Sequence, residues 1–167
     1  DDPAGAFTLL GDATGDAAKG GMAEPDDTAL VLHTSGTTSR PKIVPLSQTN
    51  VTASAAHIGE ILSLSGADRC MNIMPLFHIH GLIAAVLSSV TAGGSVFCCP
   101  PCNALRVFGW LEEADPSWYT AVPTMHQAIL SRAGRNKEIL DKISLRFIRS
   151  SSSSLPCGAT TCTLTAK

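Results

Sequence analysis

Short apolar runs alternate along this chain with longer stretches in which apolar residues recur at helical spacing. Thr28–His33 (TALVLH) is an apolar run that enters a Ser/Gly/Thr segment, as a buried strand does when it delivers a loop. Ser47 has the character of an N-cap, and Val51, Ala55, Ile58 and Ile61/Leu62 follow at helical spacing, so a helix is predicted to end near Ser63. Downstream the pattern predicts a strand at Cys70–Met74, a loop at Pro75–His78, a small-residue helix at Ile79–Val90 and a strand at Ser95–Cys98. A helix at Ala104–Glu113, a strand at Trp118–Val122, a helix at Pro123–Arg132 with proline in its first turn, and a strand at Leu145–Ser150 complete the series. Strands alternating with helices predict an α/β fold with parallel pairs. Residues 1–27, rich in Gly, Ala and Asp without periodicity, read as a linker or lead-in, residues 28–155 as the domain, and 156–167 as an aberrant or truncated tail.

Composition changes this picture little. With 167 residues the chain can bury one real core, and 44% hydrophobic against 16% charged residues leaves a surface suited to being partly covered. A formal net charge of −2 gives no electrostatic reason to expect nucleic acid. The acids concentrate in residues 1–27, so the remainder is mildly basic, which suits a phosphate handler or a solvated face. No Asp, Glu, Lys or Arg occurs from Cys70 to Leu105, yet Pro75, Gly93-Gly94 and Pro100-Pro101 interrupt the stretch, and no membrane span is expected. No secretory signal is visible at Asp1-Asp2-Pro3, so the expected location is cytoplasmic, with the peroxisome as the alternative. The six cysteines are expected as thiols rather than bridges. Cys99-Pro100-Pro101-Cys102 has a spacing that serves redox or zinc chemistry, but lacks a supporting second pair, so no metal site is expected.

Candidate chemistry centres on Ser35-Gly36-Thr37-Thr38-Ser39, four hydroxyls and a glycine followed at once by Arg40 and Lys42. Glycine lets backbone amides turn toward an anion, hydroxyls donate to phosphate oxygens, and the cations offset negative charge. Polyphosphate is the natural ligand. Pro41 stands where a Walker A loop needs glycine, and Ile43 where it needs the magnesium-binding hydroxyl, which removes the ordinary P-loop kinases and GTPases.

The whole segment Leu30–Leu46 resembles the signature Thr-Ser-Gly-Thr-Thr-Gly-x-Pro-Lys-Gly-Val of the adenylate-forming superfamily, which includes acyl-CoA synthetases, the 4-coumarate ligase group, luciferases and peptide-synthetase adenylation domains. Ser39 in place of the usual glycine resembles the oxalyl-CoA synthetase subgroup, and Ile43 replaces a second glycine. Met74–Gly81 (MPLFHIHG) resembles the superfamily's Pro-x-Phe-His motif. Trp118–Thr124 resembles its strand-to-helix element, and Leu145–Ser150 the strand leading into the acyl pocket.

The resemblance implies part of the N-terminal domain of the adenylate-forming fold, with a mixed sheet and flanking helices. It implies attack of a carboxylate on the ATP α-phosphate, giving an acyl-adenylate and pyrophosphate, then displacement of AMP by the CoA thiol. ATP, Mg²⁺ and CoA are the implied cofactors and co-substrates, with small molecules as partners. Ser35, Gly36, Thr37, Thr38, Ser39 and Lys42 would hold the β- and γ-phosphates. His78 would lie against the acyl-adenylate as the catalytic histidine. His80 would meet a second carboxylate of an acid such as oxalate, or else serve the helix start. Ser150, Ser151 and Ser152 would line the acyl and adenosine pocket, or else be low-complexity filler. His33, His57 and His126 are expected to be packing or surface residues. The superfamily's Tyr-Gly-x-Thr-Glu motif, whose glutamate helps hold magnesium, is absent from the chain. The expectation is therefore a fragment that does not turn over alone, the alternative being a non-catalytic nucleotide-binding or interaction module derived from the same domain.

Overall fold

The computed structural model describes residues 21–34, 42–100 and 103–154. Strand β1 (Thr28–Thr34) pairs antiparallel with β2 (Lys42–Ser47) as a separate hairpin. The hairpin closes on the pair Thr34–Lys42, so its ends flank the hydroxyl-rich segment. β2 has no counterpart among the expected elements: Pro45 and the alternation Ile43, Pro45 against Val44, Leu46 disguise an edge strand that needs only its neighbour. Ser47 then caps α1 (Gln48–Ile61) in a reciprocal box, its Oγ accepting from Asn50 N at 3.2 Å while Asn50 Oδ1 accepts from Ser47 N at 3.1 Å.

A four-stranded parallel sheet follows, built from β3 (Arg69–Asn72), β4 (Ser95–Cys98), β5 (Trp118–Ala121) and β6 (Phe147–Ser150) in the spatial order β4-β3-β5-β6. The expected α/β architecture and parallel pairs are thus present. Between β3 and β4 the chain is helical from Ile79 to Thr91, as α2 (Ile79–Gly81), a π-helical segment (Leu82–Leu87) and α3 (Ser88–Thr91). The hydroxyls of Ser88 and Ser89 turn back to the carbonyls of Ala84 (3.0 Å) and Ala85 (2.6 Å) around the segment's end. Helix α4 (Val107–Ala114) connects β4 to β5, starting three residues later than the apolar pattern suggested. Helix α5 (Pro123–Ala133) and the short α6 (Lys137–Leu140) connect β5 to β6; α6, a single turn, offers too little periodicity to be seen in advance.

Alternation along the strands separates two cores. Met71, Tyr119, Ala121 and Ile148 pack with Val107, Phe108, Trp110 and Leu111 of α4 and Ile129 of α5. Cys70, Trp118 and Phe147 face the other way, toward Ala85 of the π-helical segment and toward Leu62 and Leu64. Trp118 and Phe147 stack with centroids 5.2 Å apart, and the Arg146 guanidinium lies over Phe147.

Across the amino ends of β3 and β6 runs an ion pair whose carboxylate is buried and whose guanidinium is exposed. Arg146 Nε and Nη2 donate to Asp68 Oδ1 and Oδ2, each at 3.1 Å, and Ser117 Oγ (2.7 Å), Ser65 N (2.8 Å) and Ser65 Oγ (3.2 Å) also donate to the carboxylate. Burial alone would raise the Asp68 pKa; the Ser117 hydroxyl, the Ser65 amide and Arg146 outweigh it, and the carboxyl is held below its usual value.

Candidate active site

The strand order reverses between β3 and β5: the chain leaves β3 for β4 on one side, then returns to β5 and β6 on the other. In open parallel sheets, ligands bind outside the carboxyl ends of the strands at such a reversal. The residues after β3, at the end of β5 and at the end of β6 meet at this point.

Pro75–His78 forms the loop leaving β3. It is tied down where Asn72 Oδ1 accepts from Met74 N at 3.1 Å and Pro75 O accepts from His78 N at 3.2 Å. Gly81 lets the helix start lie directly on this loop, since a Cβ there would stand 2.4 Å from Pro75 O and 2.9 Å from Met74 O. The two histidines on either side of Ile79 diverge, one exposed and one buried. His78, the N-cap residue, is exposed, its ring 4.7 Å from that of the exposed Phe77.

His80 is driven inward and is only 5% exposed. Its Nε2 lies 2.7 Å from Thr120 Oγ1 on β5, and its Nδ1 lies 3.1 Å from Ser152 Oγ, just past β6. Burial lowers the His80 pKa to about 4, reinforced by the positive charge of Arg149 and by His126 and His78, so the ring is neutral at pH 7. A neutral ring with both nitrogens occupied positions its neighbours rather than supplying charge. Ser152 adopts φ 72°, a left-handed conformation unusual outside glycine, as the chain turns off β6 toward His80.

Thr120 and Arg149 lie opposite each other in the β5–β6 register and share the sheet face turned toward His80. Arg149 Nη1 approaches Thr120 Oγ1 at 3.5 Å. Behind the sheet, His126 is fixed by Arg149 O, 3.1 Å from its Nε2, and by Tyr119 Oη, 3.3 Å from its Nδ1.

The cluster is therefore His80, Thr120, Ser152 and Arg149, with His78 at the rim of the same loop. Ser151 Oγ lies 3.5 Å from Ser152 Oγ. Ser150 falls with Ile148 on the other side of the strand alternation, and its Oγ is buried without a hydrogen-bond partner among the described residues. Lys42 is exposed where β2 begins. Ser35, Gly36, Thr37, Thr38 and Ser39 lie outside the described residues, as does Cys102. Thr120 and Arg149 were not among the expected site residues. The usable signal was a hydroxyl and a cation at equivalent positions near the carboxyl ends of two apolar strands.

Among the described residues no group of three His, Cys, Asp or Glu could hold a metal ion, and no helix is long and apolar enough to cross a membrane. A shallow groove between α1 and α3, lined by Ala55, Gly59, Ser63 and Ser88, shares no residue with the cluster.

Residues 4–163 match the family model of the AMP-binding enzymes. The chain is 47% identical over 133 residues to an oxalate–CoA ligase of Arabidopsis thaliana, covering 78% of this chain and 26% of that protein. It is 38% identical over 135 residues to an oxalate–CoA ligase of Saccharomyces cerevisiae, covering 81% and 24%. Among solved structures, ATP-bound MatB from Rhodopseudomonas palustris superposes with a TM-score of 0.68 at 27% identity, covering 78% of this chain and 25% of that one. The chain thus spans about a quarter of the length of the curated relatives it matches. A parallel sheet with its polar cluster at the strand reversal, a hairpin whose strands flank the hydroxyl-rich segment in sequence, and this extent of similarity make the chain a member of the AMP-binding enzyme family.

Proposed function

We propose that this chain is the polyphosphate-binding and acyl-pocket portion of an ATP-dependent, AMP-forming acid–CoA ligase whose acid is small and carboxylic, such as oxalate. The observation that carries the reading is the β1–β2 hairpin, whose last pair, Thr34–Lys42, brackets Ser35-Gly36-Thr37-Thr38-Ser39 in sequence. Between Asp27 and Glu60 there is no acidic residue, while Arg40 and Lys42 follow Ser39 directly, so the segment's charge fits an anionic polyphosphate. The two oxalate–CoA ligases among its relatives support the choice of acid.

In this mechanism the protein's work in the first step is positioning and charge stabilisation. The hydroxyls of Ser35, Thr37, Thr38 and Ser39, the amide of Gly36 and the Lys42 ammonium hold the β- and γ-phosphates and stabilise the departing pyrophosphate. His78, exposed on the loop at the sheet reversal, stands where the acyl group meets the α-phosphate and hydrogen-bonds the reacting carboxylate. Ser151 and Ser152 offer hydroxyls to the acid, whereas Ser150 faces away from the cluster. ATP supplies the AMP group and CoA the accepting thiol; no residue of this chain is assigned to Mg²⁺. The enzyme acts on soluble small molecules, in the cytoplasm or peroxisome.

Pyrophosphate–ATP exchange by the complete gene product tests the reading. Exchange should depend on added oxalate or another small acid and fall roughly 100-fold or more in Lys42→Ala, a loss in the range for removing one transition-state charge contact. Absence of exchange with every acid in a broad panel would overturn it. The 167-residue chain alone should not turn over.

A further inference from the structure

Arg149 is half-buried, and no carboxylate lies within ion-pair distance of it among the described residues. Among the described residues the guanidinium's hydrogen bond is the 3.5 Å approach of Nη1 to Thr120 Oγ1, which is long and neutral. The described carboxylates that form ion pairs are committed elsewhere, Asp68 to Arg146 and Glu112 to Lys142. A guanidinium withdrawn from water without a counter-ion is costly to maintain, and burial already lowers its pKa.

Its place gives that cost a use. Arg149 stands near the carboxyl end of β6, beside Thr120 near the end of β5, at the strand reversal where a ligand is expected. His80 cannot supply the cation there, because its nitrogens are engaged by Thr120 and Ser152 and its ring is neutral. The guanidinium fork matches a carboxylate in two parallel hydrogen bonds, which an ammonium cannot do.

We propose that Arg149 is the specificity residue of the acyl pocket, pairing with the non-reacting carboxylate of a small dicarboxylic acid while His80 and Thr120 hold the fork in place. This assignment rests on the acid–CoA ligase reading and moves the charge recognition expected of His80 onto Arg149. It predicts selection for diacids over acids of the same shape with one carboxylate neutralised.

The test uses the complete gene product with diacids and their half-amides: oxalate with oxamate, malonate with malonamate, succinate with succinamate. Wild type should use one diacid at least 100-fold better, in kcat/KM, than its half-amide. Arg149→Gln should lose roughly 100-fold on the diacid, mainly through KM, while changing the half-amide less than threefold; Arg149→Lys should recover part of the preference. Calorimetric titration of the same diacid into wild type and Arg149→Gln, with thermal midpoints to confirm folding, reads binding without catalysis. An equal fall on both acids, or a diacid preference that survives Arg149→Gln, would overturn the assignment and leave the ligase reading standing. Diacid binding that depends on Arg149 in a protein with no exchange activity would do the reverse, and no binding together with no exchange would overturn both.

Discussion

Acidification is the perturbation to which this fold should respond most tellingly, because His80 is buried as a neutral ring between two hydroxyls. Its pKa is about 4 in the folded chain, against 6.5 when unfolded. Between these values the unfolded state binds a proton that the folded state refuses. The stabilisation is therefore complete above pH 6.5 and is lost as the pH falls toward 4. At about 1.36 kcal/mol per tenfold change, the whole difference is worth at most about 3 kcal/mol, and roughly 2 kcal/mol is gone by pH 5. His126, also lowered by burial, adds in the same direction, whereas Asp68 acts only at lower pH. Trp110 and Trp118, 4% and 0% exposed, should report unfolding by fluorescence. Urea titrations at pH 7, 6 and 5 on wild type and His80→Gln supply the comparison. Wild type should lose stability over this range, and the variant, lower at pH 7, should lose about 2 kcal/mol less. Parallel pH profiles for the two proteins, or a His80 imidazole titrating near 6 by NMR, would refute the buried-neutral account.

Other consequences are equally direct. Gly81→Ala drives a Cβ to within 2.4 Å of Pro75 O and 2.9 Å of Met74 O, backbone atoms that cannot step aside. A loss of about 1–3 kcal/mol in urea unfolding is expected, against little change or a gain for Gly109→Ala, whose Cβ meets nothing within 4 Å. Thr120→Val keeps the shape of a fully buried side chain but strands His80 Nε2, and thermal denaturation should register about 1–3 kcal/mol, which Thr120→Ser largely restores. Asp68→Ala leaves Arg146 and Ser117 without their acceptor; with Arg146 41% exposed, the loss should fall near or below the roughly 3 kcal/mol typical of a broken buried pair, and a double-mutant cycle with Arg146→Met isolates the pair.

Much of this architecture was legible along the chain. The apolar strands, the Ser47 cap and the Pro123 helix start are local, decided by side-chain periodicity and by which residues can satisfy a helix's free amides, and they fall within a few residues of the expected places. The hydroxyl-rich segment with Arg40 and Lys42 carried the family resemblance because its residues lie in one continuous run of sequence. Tertiary structure alone decided the rest. Strand order is a matter of which apolar faces find each other, so nothing local announced that β3 and β5 would be neighbours or that the reversal would fall between them. His80 is neutral because the fold buries it and sets Arg149 nearby, and its ring is held by hydroxyls 40 and 72 residues away, while Gly81 lies against the Pro75 carbonyl. Arg149, unremarkable within its own strand, comes to lie beside Thr120, without a carboxylate partner among the described residues, only through the β5–β6 register, because burial and pairing are properties of the folded neighbourhood and not of the residue.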